Sequence, residues 1–154
     1  MIKTYTDFLT VGTPDGGDIR APLTVTMEEK KIGADVKAEI TLCGKKFEGR
    51  GTWLDWGDAF AALQKSLPGG YSLKCCLACR HGNMWIYGRV PNLIFCMHGK
   101  KVDDKDDLIG FFGSDEEAET ERKATDVCEN FAPQSKDFYT YNDYLYCLEG
   151  KIYG

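Results

Sequence analysis

The amino-acid sequence predicts an α+β fold in one domain spanning 1–154: an antiparallel sheet of five or six strands, two or three helices and a Cys-rich loop module. Three observations predict it. The first third of the chain alternates apolar and polar residues with a period of two, the pattern of half-buried antiparallel strands. Helix signals appear only after that stretch, with no βαβ alternation. Finally, 154 residues at 43% hydrophobic and 28% charged suit a single self-sufficient core, which at this length hides roughly 68–70% of the unfolded surface.

The elements follow in order. Leu23, Val25 and Met27 alternate with polar neighbours, as do Val36, Ala38, Ile40 and Leu42, with Lys37, Glu39 and Thr41 on the opposite face. Residues 13–18, Thr-Pro-Asp-Gly-Gly-Asp, carry turn chemistry throughout. Gly44-Lys45 reads as a hairpin turn into 46–53, where Phe47, Gly49 and Gly51 continue the inward face. The first helix is expected over 58–67, with Asp58 as N-cap and Pro68-Gly69-Gly70 as the stop. Two short strands are expected at 71–77 and 93–98 as neighbours, separated by a Gly-, Asn- and Pro-containing loop in which Met84-Trp85-Ile86-Tyr87 offers an exposed apolar contact. Ser114-Asp115-Glu116-Glu117 matches a capping box and predicts a charged helix running to Lys123 or through Phe131, ended by Pro133. Near the C-terminus, Asn142 as cap and Gly150 as C′ residue predict a short helix, with a strand a candidate at 138–141.

The formal charge of -5 and pI near 5.1 argue against nucleic acid and anionic membranes as partners. The opening residues lack a signal-peptide core and no stretch reaches the roughly 20 apolar residues of a membrane span, which makes the cytoplasm the expected compartment. The charge is unevenly placed. Residues 59–102 hold no Asp or Glu and six bases, whereas 103–130 hold eleven acids and three bases. The Cys-rich segment 71–102 is therefore basic and the expected helical segment 103–131 acidic.

Seven cysteines stand at 43, 75, 76, 79, 96, 128 and 147. In a reducing compartment clustered cysteines bind metal or stay free, so a disulfide framework is not expected. Cys76-Leu77-Ala78-Cys79, with Gly82 shortly after, has the form of a zinc knuckle, whose tight turn aims two sulfurs at one point. Strand alternation places Cys96 and His98 on one face, and Cys75 opposite Cys76. The candidate zinc ligands are Cys76, Cys79, Cys96 and Cys128, with His81 or His98 as substitutes for the fourth. Flanking Lys and Arg would offset the -2 charge of a tetrathiolate centre. Cys43 and Cys147 sit in apolar patterns and are expected in the core. The closely spaced cysteine runs of iron–sulfur proteins are absent.

Phosphate-binding loops, zincin helices, nucleophile elbows and dinucleotide fingerprints are absent too. The sequence predicts a non-catalytic protein that binds a macromolecular partner, a protein with basic character rather than nucleic acid, its Cys-rich module held by zinc. One alternative is a thiol-dependent enzyme or redox protein using Cys79 or Cys96 with a neighbouring His. Another is a toxin-neutralising, immunity-type inhibitor without metal.

Overall fold

Four long strands fill the first third of the chain, and their alternation settles which face each residue takes. The computed structural model describes residues 1–150. β1 (Ile2–Gly12), β2 (Asp18–Glu29), β3 (Ala34–Leu42) and β4 (Lys45–Gly51) form an antiparallel meander, and β5 (Ser72–Lys74) adds to the far side of β1. The register pairs Tyr5 with Val25 and Val25 with Ala38. Leu23, Val25, Met27, Val36, Ala38, Ile40 and Leu42 are all buried. Lys37, Glu39 and Thr41 take the other face, as period two requires.

α1 (Gly57–Ser66) closes the core, burying Ala59, Phe60 and Leu63. It lies directly on β4, because an added Cβ at Gly49 would stand 2.1 Å from the Leu63 nitrogen and 2.3 Å from the Ala59 carbonyl oxygen. Asp58 is not the N-cap. That position belongs to Trp56, in left-handed backbone with φ of 71°. Asp58, in the first turn, accepts hydrogen bonds from the Thr52, Trp53 and Ala59 amides and so ties the end of β4 to the helix. The Trp56 ring packs edge-on to Tyr5 and stacks on Phe60.

A second, three-stranded sheet consists of β6 (Gly82–Asn83), β7 (Ile94–Cys96) and β8 (Glu121–Arg122). The two strands expected at 71–77 and 93–98 are therefore not neighbours: β5 belongs to the large sheet and β7 to the small one. Beside the small sheet, Phe95, Met97, Leu108 and Phe112 form a satellite core. Met84 is buried and Trp85 and Ile86 are half-buried, so of these four apolar residues Tyr87 is the exposed one.

The acidic segment departs most from expectation. Its helix is α2 (Lys105–Phe111), capped by the Asp104 carboxylate accepting from the Asp107 amide. Ser114 instead accepts from Glu116 in a local turn, followed by one 3-10 turn at Ala118–Thr120 and then β8. A helix through 115–121 would set Asp115 against Glu119 and Glu117 against Glu121 at i,i+4, like-charge pairs that oppose it. α3 (Tyr144–Leu148) is the expected terminal helix, with Asn142 accepting from the Tyr144 amide and Gly150 at φ of 74° beyond its end. Residues 138–141 form no strand. Among the described residues, no helix is long and apolar enough to cross a membrane.

Candidate metal centre

The chain turns sharply after β5. Cys75 is extended, Cys76–Ala78 form a 3-10 turn, and the Cys79 amide donates to the Cys76 carbonyl. The His81 amide then donates to the Cys79 Sγ at 3.5 Å, the backbone-to-sulfur contact of a knuckle. Gly82 pairs with Cys96 across β6 and β7, and the Met97 amide donates to the His81 carbonyl at 2.8 Å. An added Cβ at Gly82 would lie 1.9 Å from the Cys76 carbonyl oxygen. Only glycine lets the strand carrying the Cys96 register lie against the knuckle.

The third contributor arrives from the acidic segment. Cys76 and Leu77 donate their amides to the carbonyls of Asp126 (2.7 Å) and Ala124 (3.1 Å), and Arg80 donates to Ala132 (2.8 Å). Cys79 forms an isolated bridge with Pro133. These bonds carry residues 123–133 across the knuckle and bring Cys128 to it. One cleft is consequently lined by Cys75, Cys76, Cys79, His81, Cys96, His98 and Cys128. Its free volume is about 10 Å³, room for the centre of a single water-sized species. Among the described residues, no three His, Cys, Asp or Glu side chains stand close enough together to hold a metal ion. Those lining the cleft ring the space rather than close on it.

The two imidazoles meet edge-on at 4.8 Å, and His81 also meets Phe138 at 5.6 Å. Burial, the His98 ring and Arg80 lower the His81 pKa and favour its neutral form. Burial pushes the Cys75 thiol up to about 12, against donation from the Ala78 and Leu77 amides. Burial also raises Cys76, reinforced by Cys75, Cys96, Asp126 and Cys79 around it. Without a cation these thiols hold their protons; thiolate chemistry here needs positive charge in the cleft. The six bases of 59–102 supply little of it. Arg89 bridges Asp55 and Asp143, Lys74 pairs with Asp18, Lys100 pairs with Glu116, and Lys65 binds the Cys147 carbonyl. Arg80 acts on the cleft through His81, its guanidinium bound to the Pro133 carbonyl and lying over Phe138, and Lys101 is exposed.

The sequence also misplaced one thiol and missed a clamp. Cys43 is exposed, because Leu42 pairs with Lys45 and leaves Cys43-Gly44 as the hairpin turn, Cys43 itself at φ of 51°. Cys147 is half-buried against the core. The clamp is Asn142, whose buried amide donates to the carbonyls of Leu77 (2.8 Å) and Gly82 (2.7 Å), spanning the knuckle from end to end. Gln134 adds a bond to the Leu77 carbonyl at 3.0 Å. A lone Asn ahead of a helix reads as a cap; the N-cap position is Asp143, and Asn142, one residue earlier, accepts from the Tyr144 amide. Its clamping role has no local signal.

The chain matches no family model, no curated protein and no solved structure.

Proposed function

We propose that this chain is a non-catalytic binding protein whose Cys-rich half is fastened by one zinc ion held by Cys76, Cys79, Cys96 and Cys128, with His81 and His98 standing by the same cleft. The observation that carries the reading is convergence. Donors from the knuckle, from β7 and from the acidic segment, 52 residues apart from Cys76 to Cys128, line one cleft of single-ion size. The chemistry of the set favours zinc, which takes thiolate and imidazole in tetrahedral sites. The rotation of the side chains onto the ion, and the loss of their protons, accompany binding.

Elemental analysis of the protein purified without added metal tests this. About one zinc per chain is expected, with loss of the Cys-rich module's structure on chelation. Zinc content near zero, unchanged after incubation with zinc under reducing conditions, overturns the reading. Coupling through a thiolate–imidazole pair is the weaker alternative, since each imidazole packs against the other.

For the partner, the surface around α2 supports a basic protein. Among the described residues, Asp103, Asp106, Asp115, Glu117 and Glu119 form no ion pair, and Lys100 pairs with Glu116. An association through this surface weakens as salt rises; a complex indifferent to salt counts against it.

A further inference from the structure

We propose that the metal works as a latch on the segment from Glu121 to Gln134, so that occupancy of the cleft decides whether this strap lies across the protein or comes away. The inference rests on the zinc reading and extends it to regulation.

The strap's apolar hold is confined to Ala124, buried in the core, and Phe131, half-buried against it. Between these two, Val127, Cys128, Glu129 and Asn130 are exposed. The rest of its fastening is polar and comes mainly from three separate places. On β7, Phe95 and Ile94 pair with Glu121 and Arg122. On β1, Asp7 receives the Lys123 ammonium at 3.0 Å and the Thr125 hydroxyl at 2.8 Å. On the knuckle, the Cys76, Leu77 and Arg80 amides donate to Asp126, Ala124 and Ala132. Bonds of this kind give little net stability against water, and ordering a strap costs conformational entropy at every residue. Cys128 is the strap's one donor in the cleft, and it sits between the hydrogen-bonded points at Asp126 and Ala132. A Cys128–metal bond would pin the middle of the strap to Cys76, Cys79 and Cys96, which are carried by other segments. Losing the ion leaves three scattered sets of exchangeable hydrogen bonds, the kind of region that opens locally while the core stays closed. Opening frees the Cys76, Leu77 and Arg80 amides and the Asp7 carboxylate.

Hydrogen exchange on the full-length chain, zinc-loaded and then chelated under reducing conditions, tests the latch. Chelation is expected to accelerate exchange at the Cys76, Leu77 and Arg80 amides at least 10-fold while Val25 and Ile40 in the large sheet stay protected. Cys128→Ser, which leaves three cysteines and both histidines in place, is expected to bind zinc more weakly and to show the same fast exchange at these three amides with zinc present. If zinc binds and leaves without changing these rates, or if the large sheet opens together with the strap, the latch is overturned and the zinc reading stands. If no zinc binds at all, both fall.

Discussion

Replacing Gly82 with alanine separates a metal cleft built by backbone approach from a chance grouping of thiols. A methyl group there would stand 1.9 Å from the Cys76 carbonyl oxygen and 3.1 Å from an Ile94 methyl. Real Cβ contacts essentially never fall below 3.0 Å, so the knuckle and β6 must part by at least about 1 Å. Neither neighbour gives easily. The carbonyl is backbone of the 3-10 turn and already receives the Cys79 amide, while Ile94 is fully buried. Zinc–sulfur distances tolerate roughly ±0.2 Å, so an ångström between Cys76 and the strand facing Cys96 exceeds what the ion can absorb. Overpacking of this kind costs about 1–3 kcal/mol. Gly82→Ala is therefore expected to lose at least about 10-fold in zinc affinity, read by competition with a chromophoric chelator, and about 2–3 kcal/mol of stability in urea. Circular dichroism shows whether the large sheet is intact. Gly99→Ala serves as the control: unlike Gly82 its backbone is left-handed, φ 79°, but nothing lies within 4 Å of the added carbon, so it carries backbone strain of roughly 1 kcal/mol without moving the knuckle. Wild-type zinc affinity in Gly82→Ala at unchanged stability would refute the reasoning.

Three further outcomes are expected. Asn142→Ala removes the amide bridging the Leu77 and Gly82 carbonyls. Leu77 keeps Gln134 but Gly82 loses this buried donor, a loss of about 1–2 kcal/mol, measurable by urea titration together with weakened zinc binding; an unchanged midpoint argues against the clamp. Arg89→Ala strands Asp55, a carboxylate only 5% exposed whose pKa burial raises against the pull of Arg89; about 2–3 kcal/mol is lost, the low end for an orphaned buried charge because Arg89 is itself 39% exposed, and adding Asp55→Asn restores part of it. Asp7 is held below its ordinary pKa: burial raises it, but bonds from the Phe8 amide, the Thr125 hydroxyl and Lys123 outweigh this. Its contribution is thus present above the unfolded value near 3.8 and lost as pH falls through the lower folded value. The stability gap between wild type and Asp7→Asn, about 1 kcal/mol at neutral pH, should close below that window; a gap unchanged in acid shows that Asp7 stays uncoupled.

The large sheet was legible because the face a strand residue takes is set by its own backbone, two residues at a time. Val36 to Leu42 alternate in the sequence and alternate in the structure, and 13–17 turn where the turn residues stand, with Asp18 already opening β2. The errors came where one local rule met another force. Leu42-Cys43 continues an apolar pattern, yet the β3–β4 register makes Cys43 a turn residue. Ser114 to Glu117 has a capping-box spelling, but four further carboxylates in the same two turns would have to share one helix, and the helix forms instead where Asp104 can cap it.

The sequence by itself determined an α+β chain with an antiparallel sheet, a C-x-x-C turn and an acid-free stretch around it, all properties of neighbours along the backbone. Tertiary structure alone decided that Cys96 and Cys128 come to that turn, that Asn142 clamps it and that three of the six bases of 59–102 pair with carboxylates elsewhere. The reason is physical: a local rule fixes where a side chain points, whereas bringing residue 128 to residue 76 depends on backbone carbonyls, a glycine with no Cβ and one buried amide, none of which leaves a periodic trace.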